Sequence, residues 1–125
     1  TTSLPQGLCG DGTFPVETPA TTQLRLEPIE TPATRETYTV PTIDGSTRTF
    51  TEAVTYQWLA TAGKFSSADT GGGHDAFGNL MPVHTVWTAP DAKDLDASGD
   101  VQMWIIQRDE RLGVAVYPAC VHVTR

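Results

Sequence analysis

Four aspartates in one short segment are the residues of this chain best placed to do chemistry. They are Asp91, Asp94, Asp96 and Asp100. Hard cations such as calcium take several oxygen ligands, and closely spaced carboxylates around a glycine turn can supply them. The run from Asp94 to Gly99 begins like an EF-hand loop, but Ile105 stands where such a loop needs a bidentate Glu. This excludes an EF-hand and leaves two interpretations: a looser calcium site, or a solvated acidic turn between strands, which we favour.

Histidine and serine side chains give weaker patterns. The histidines, which are too scattered for a zinc site with closely spaced ligands, are His74, His84 and His122. Ser66 and Ser67 could combine with His74 and Asp75 as a hydrolase set, but no Gly-x-Ser-x-Gly turn accompanies them. Gly71-Gly72-Gly73 is not followed by Lys and a helix, as a phosphate-binding loop requires. We therefore predict that the chain is not an enzyme and, calcium apart, needs no cofactor.

Two cysteines, Cys9 and Cys120, stand 111 positions apart. Inside a cell they would be two reduced thiols, whereas in an exported protein an even number of cysteines favours a disulfide. We favour the disulfide, because abundant Thr and Pro and few charged residues also suit an exported protein. The chain begins at Thr1 with no signal segment, so either such a segment has been removed or the chain is an excised piece. The expected location is extracellular, on a cell surface or periplasmic.

Composition narrows the classes of partner. The formal net charge is −7, from 8 Lys and Arg against 15 Asp and Glu, and such acidity repels the phosphates of nucleic acids. No apolar run approaches the roughly 20 residues that span a bilayer. Thr is abundant, with 20 residues, and together with Val and the aromatic residues it favours strands over helices. We therefore expect neither nucleic-acid binding nor a membrane span, and protein is the class of partner that remains.

The clearest strand signal runs from Ala53 to Thr61, where apolar and polar residues alternate every two positions. A long glycine-rich connection, 66–82, follows it and is expected to be mobile. The last third forms a long hairpin, from Val101 to Arg108 and from Val114 to Val123. Pro118 predicts an edge position or a bulge in the return strand, and a bulge would put Val114 and Val116 on one face with Ala119, Val121 and Val123.

About seven short strands without a helix predict an all-β fold, an immunoglobulin-like β-sandwich of antiparallel strands. The sandwich is expected over residues 24–125. Residues 1–23, rich in Thr, Pro and Gly, are expected to form an extended N-terminal arm.

The three tryptophans are expected to lie in two kinds of place, the core and the outer face of the last hairpin. Trp58 and Trp87 are expected to pack in the core, as large aromatics do in sandwiches. Trp104 and Ile106 fall on the opposite strand face from Met103, yet both faces are apolar, so something must cover them. We favour the arm or the side chains of neighbouring strands as this cover. The alternative is contact with another domain or subunit.

The order of several motifs resembles that of bacterial immunoglobulin-like and polycystic-kidney-disease-type (PKD) domains of exported, often surface-anchored proteins. The motifs are Tyr56-Gln57-Trp58, Ala62-Gly63-Lys64-Phe65-Ser66, Val86-Trp87-Thr88-Ala89-Pro90, and the strand from Val101 to Asp109 followed by Gly113. The resemblance implies a two-sheet sandwich with a spacer or adhesion role and usually no catalysis. The long 71–73 loop and the two cysteines depart from the family pattern.

The function expected is therefore a structural or adhesive module that contacts proteins through self-association or neighbouring domains, such as a subunit of a surface assembly. The candidate contact residues are Trp104, Ile106, Gly71, Gly72, Gly73 and Phe77. Two alternatives remain open. One is a calcium-organised module that binds carbohydrate or protein, and the other is an accessory domain of a larger secreted enzyme.

Overall fold

The computed structural model describes residues 4–12, 15–30, 34, 37–51, 53–73, 76–110 and 113–125. Within these ranges the chain forms ten strands and one short 3-10 turn, Ala92–Asp94. The strands are β1 (Val16–Pro19), β2 (Gln23–Leu26), β3 (Thr37–Pro41), β4 (Thr47–Thr51), β5 (Val54–Ala60), β6 (Lys64–Phe65), β7 (Asp69–Gly72), β8 (Thr85–Thr88), β9 (Asp100–Asp109) and β10 (Val114–Thr124). The all-β prediction is confirmed.

Two sheets pack against each other as a β-sandwich. The five-stranded sheet, here called sheet A, has the order β1-β10-β9-β5-β7, and the three-stranded sheet, sheet B, has the order β2-β8-β6. Strands β3 and β4 pair only with each other, as a separate hairpin. The predicted sandwich is confirmed, with additional short strands beyond the seven expected.

The core lies between the two sheets and is formed by every second residue of their strands. In β5, Val54, Tyr56 and Trp58 are buried, and in β9 Val101 and Met103 are fully buried. Removing such side chains from water contributes about 1.5–3 kcal/mol each. Sheet B contributes Trp87, which is fully buried.

The packing of both core tryptophans is as the sequence predicts, and each indole N–H finds an acceptor. Trp58 donates to the hydroxyl of Thr70 at 2.8 Å, and Trp87 donates to the carbonyl oxygen of Ala62 at 3.1 Å. A buried indole N–H without a hydrogen-bond acceptor would cost free energy, and these two bonds avoid that cost. They also fix the orientation of both rings.

The first 23 residues are more than an extended arm. Val16–Pro19 forms strand β1, which pairs with β10 in parallel from Val16 opposite Val121 to Pro19 opposite Thr124. Thr18 is buried in this position. The sandwich is thus not wholly antiparallel. The sequence does not predict β1, because four residues that include Thr and Pro give too weak a strand signal.

The glycine-rich connection 66–82 also contains a strand where the sequence predicts a mobile loop. Asp69–Gly72 pairs with β5 in antiparallel register, with Gly71 opposite Thr55. Gly71 has a φ of +82°, and a Cβ there would lie 2.5 Å from the carbonyl oxygen of Val54. Glycine is therefore required by a close backbone approach, and what looks like a flexible run is a tightly packed edge strand.

The last hairpin has no bulge, which corrects the grouping of its valines. Its register is continuous, from Val114 opposite Arg108 to His122 opposite Asp100. Val114 and Val116 therefore point away from the core, on the face opposite to Ala119, Val121 and Val123. Pro118 fits this continuous register because its position, which lacks an N–H, faces away from β9, and its carbonyl oxygen accepts a bond there from the Gly7 N–H. Strand β10 itself lies between β1 and β9 in sheet A, and Pro118 stands in a part of it that β1 does not reach.

Candidate functional site

The predicted disulfide is present between Cys9 and Cys120, with a Cα–Cα distance of 5.1 Å. Side-chain bonds of Gln102 brace it, because the Cys9 N–H donates to Gln102 Oε1 at 2.6 Å and Gln102 Nε2 donates to the carbonyl oxygen of Ala119 at 2.9 Å. The N-terminal segment thereby lies along β10 and then crosses onto the outer side of sheet A. The sequence predicts the pairing, but it gives no signal for the role of Gln102.

The outer side of sheet A carries a contiguous apolar surface, which we call the outer apolar face. It consists of Leu59, Trp104, Ile106, Val114, Val116 and Pro118. Strand register sets its layout, since Leu59 and Pro118 lie opposite Trp104 on either side, while Ile106 lies beside Val116. Three strands thus present apolar side chains away from the core.

Half of the six residues of this face are exposed to solvent. Leu59 is 42% exposed, Val114 60% and Val116 53%, while Trp104 and Ile106 are half-buried between these neighbours. A strand with one wet face normally alternates apolar and polar residues, so apolar residues on both sides of β9 and β10 are unusual. Exposed apolar surfaces of this kind mark contact sites more often than scattered single residues do.

The favoured prediction of a cover for Trp104 is met only in part. The disulfide-linked segment covers the end of the outer side at Gln102 and Cys120, one step along the sheet from Trp104. The flanking side chains at the level of Trp104 are Leu59 and Pro118. None of the described segments shields Leu59, Val114 or Val116, so the contact alternative is the one the open part of the face supports.

The other predicted contact residues lie elsewhere. Gly71 and Gly72 belong to strand β7 at the far edge of sheet A, and Gly73 follows them. Phe77 lies in the next loop and is 89% exposed, together with Leu80 at 51% and Met81 at 41%. The structure therefore brings Trp104 and Ile106 together but separates them from the glycine run and from Phe77.

The acidic segment forms a compact turn. Asp91 precedes the 3-10 turn and Asp94 ends it. The carboxylate of Asp96 accepts bonds from the Ser98 N–H at 3.0 Å, the Ser98 hydroxyl at 2.6 Å and the Gly99 N–H at 3.1 Å. These bonds, that from the Ser98 hydroxyl above all, lower the pKa of Asp96 below its ordinary value. The side chain of Asp96 is thus engaged in holding the turn.

The four aspartates do not converge on one point. Asp100 bonds instead to Nδ1 of His122, at 2.8 Å. Within the described ranges, the one group of three potential metal ligands within 4.8 Å of one another is Cys9, Asp100 and Cys120. Both of its sulfur atoms belong to the disulfide, which removes the thiolates that bind metals. Calcium binding by Asp91, Asp94, Asp96 and Asp100 stays the untested alternative to a solvated acidic turn, and titration decides between them.

The serine and histidine candidates have structural roles where the structure describes them. The Ser67 N–H donates to the hydroxyl of Thr85 at 3.2 Å, and that hydroxyl donates to the Ser67 carbonyl oxygen at 2.7 Å. Ser66 caps the same strand, since its hydroxyl accepts the Val86 N–H at 3.1 Å. His84 is half-buried beside β8. His74 and Asp75 lie outside the described residues.

Comparison of the chain with protein-family models, with curated protein sequences and with solved structures finds no match. The resemblance to PKD-type domains therefore remains an expectation from the sequence. A search of the described residues for a helix long and apolar enough to cross a membrane also finds none.

Proposed function

We propose that this chain is a non-enzymatic extracellular module, structural or adhesive, that contacts another protein through the outer apolar face. The observation that carries the proposal is the exposure of Leu59, Val114 and Val116 on the same side of a five-stranded sheet as Trp104 and Ile106. Interfaces concentrate their binding energy in a few central residues, among which Trp is enriched. Trp104 is the largest side chain of this face and lies between Leu59 and Pro118, in the row next to the disulfide-linked segment.

The scaffold supports a contact role because it holds the face rigidly. Strands β9 and β10 are the longest in the fold, with ten and eleven residues, and the disulfide fastens the N-terminal segment beside them. A preformed sheet loses little conformational freedom when a partner docks, so more of the burial energy remains for affinity.

The disulfide also supports an extracellular location. Disulfides persist in oxidising compartments and are rare where glutathione and thioredoxin keep thiols reduced. The cross-link between Cys9 and Cys120 joins residues near both ends of the sequence. Such a link stabilises a domain that must stay folded outside the cell, where no chaperone restores it.

A pair of substitutions on one strand tests the contact role. Leu59→Lys places a charge in the outer apolar face, while Thr55→Lys places the same charge on the same side of β5, four residues away. The immobilised domain is exposed to extracellular proteins of the native source, and retained proteins are quantified by mass spectrometry. We expect proteins retained by the wild type and by Thr55→Lys to be lost with Leu59→Lys. Identical retention by all three, with unchanged melting temperatures, would refute the proposal.

A further inference from the structure

Strand β10 is only partly covered along the edge that faces away from β9. Strand β1 pairs with its last part, from Val121 to Thr124. The N-terminal segment covers its middle, where Gln6 bridges to Ala119 and the Gly7 N–H donates to the Pro118 carbonyl oxygen at 3.0 Å. From Val114 to Tyr117, no backbone group of the described residues pairs with this edge.

The ladder pattern shows which groups stand open there. The Asp109 N–H donates to the Gly113 carbonyl oxygen, so odd-numbered residues of this strand bond toward β9. The carbonyl oxygens of Pro118 and Thr124 accept bonds from the other side, from Gly7 and Ala20. Because direction alternates along a strand, the N–H and C=O of Val114 and Val116 also point away from β9. Together they form a short backbone ladder that no described residue pairs with.

A cavity of about 250 Å³ borders the same edge. It is lined by Thr34, Val54, Gln107, Asp109, Gly113, Val114 and Ala115. Sites for whole small-molecule ligands measure roughly 300–1,000 Å³, so this cavity is better matched to one side chain. It lies toward the inner side of sheet A, whereas the outer apolar face lies on the other side of the same strand.

We propose that this open edge, 114–117, accepts an extended segment of a partner protein as an added strand of sheet A. Unpaired N–H and C=O groups are recognised by another extended backbone, and pockets for alternate side chains give such binding its specificity. Alternate residues of the added strand lie beside Val114 and Val116 on the outer side, and a residue between them enters the cavity. This inference rests on the proposed contact function and names the kind of partner.

Two features define the partner segment further. Pro118 and its bond to Gly7 end the open ladder on one side, and the turn at Gly113 ends it on the other, so about four residues pair. The chain carries a net charge of −7, so we expect the segment to lack acidic residues. The same charge makes a second copy of this chain a poor occupant, because two copies repel each other.

Amide hydrogen exchange of the free protein, followed by NMR, tests the open ladder. We expect the amides of Val114 and Val116 to exchange at least tenfold faster than those of Ala115 and Tyr117, which face β9. Equal protection of all four amides would show that this edge is already paired and would overturn the inference.

Selection from a displayed library of random heptapeptides then tests the ligand. We expect the selected peptides to share apolar residues at alternate positions, and addition of one of them to slow exchange at Val114 and Val116. Val116→Pro removes one edge N–H, at the same strand parity as the natural Pro118, and is expected to weaken binding roughly tenfold. Val116→Thr keeps the N–H and serves as its matched control.

Chemical modification of the peptide makes the result independent of whether Val116→Pro folds. Two versions of one selected peptide are N-methylated at alternate residues, one at odd and one at even positions. Strand addition predicts that one version loses binding and the other keeps it. No enriched peptide, or equal binding by both versions, would overturn the inference.

The two proposals fail separately. Leu59→Lys lies two strands away from this edge and is expected to leave peptide binding unchanged. If Leu59→Lys abolishes partner capture while no peptide binds the edge, the contact function stands and strand addition is wrong. If neither the face nor the edge retains a partner, both proposals are wrong.

Discussion

Removing the disulfide between Cys9 and Cys120 should destabilise the fold strongly. The cross-link joins positions 111 residues apart, and the chain-entropy treatment of so long a loop gives about 5 kcal/mol at 25 °C. That value applies in full only while the N-terminal segment stays docked without the link. The bonds from Gly7 to Pro118 and from Cys9 to Gln102 hold that segment, together with packing of Leu4 on the core. We therefore expect a loss of about 3–5 kcal/mol.

Thermal unfolding measures this loss. The double variant Cys9→Ala/Cys120→Ala is compared with the oxidised wild type by far-ultraviolet circular dichroism. Alanine is chosen because Cys120 is buried and a serine hydroxyl there would need a partner. At roughly 4 °C for each kcal/mol in a domain of this size, the melting temperature should fall by about 12–20 °C. Reductant should lower the wild type by the same amount and leave the double variant unchanged.

A melting temperature within about 4 °C of the wild type would refute this reasoning. It would mean that the segment around Cys9 detaches locally at little cost, so that the link constrains only an already loose end. Hydrogen exchange at the Gly7 amide separates the two cases. This amide donates to Pro118 and should stay protected in the double variant if the segment remains docked.

Three further predictions concern a glycine, a carboxyl group and a metal. Gly63→Ala should lower the free energy of unfolding by about 2–4 kcal/mol, because the added Cβ would lie 2.6 Å from the Thr88 carbonyl oxygen and against the Trp87 indole. Gly45 is the control, since it has a similar positive φ but open space around it. In urea unfolding, Gly45→Ala should cost only about 1 kcal/mol. The pKa of Asp96 is lowered in the folded state, so its contribution to stability is present above the unfolded pKa and disappears as pH falls through the folded pKa. The unfolding free energies of the wild type and of Asp96→Ala, measured between pH 5 and pH 2, should therefore become equal at the acidic end. Millimolar calcium should leave the melting temperature unchanged, because the acidic segment gathers no three carboxylates within 4.8 Å; a clear rise that Asp94→Asn abolishes would instead establish a calcium site.

The part of the fold that the sequence predicts is the part where side-chain periodicity is strong. Strand β5 alternates cleanly from Val54 to Ala60, and the hairpin of β9 and β10 is long, so both are found in nearly the predicted places. The disulfide also follows from counting cysteines. Each of these signals is local or pairwise, and none needs knowledge of which strands are neighbours.

The remaining features depend on tertiary contacts that leave no local trace. Strand β7 consists of Asp-Thr-Gly-Gly, which suggests a loop, and it becomes a strand only because Gly71 lets two backbones approach closely. The bulge alternative at Pro118 is wrong because the position of its missing N–H lies on the side of the strand that faces away from β9, so proline breaks no bond of the β9–β10 ladder. Without the register, the sequence could not show that Val114 and Val116 join Trp104 on the outer side.

The acidic segment shows the same limit for candidate sites. Residue types and spacing indicate that four aspartates could share an ion, but backbone geometry decides where each carboxylate points. Asp96 is engaged by the N–H groups and the hydroxyl of its own turn, and Asp100 is engaged by His122 on the neighbouring strand. Both assignments need strand register and turn geometry, which composition does not supply.

Hydroxyl-radical footprinting of the native assembly against the isolated domain tests the central claim most directly. Trp104 is half-buried and the nearby Leu59 and Val116 are largely exposed, while Trp58 and Trp87 are buried and serve as internal references. If the outer apolar face is a protein interface, oxidation of Trp104, Leu59 and Val116 should fall at least severalfold in the native assembly, with the two references unchanged. Equal oxidation of these three residues in both samples would contradict the account.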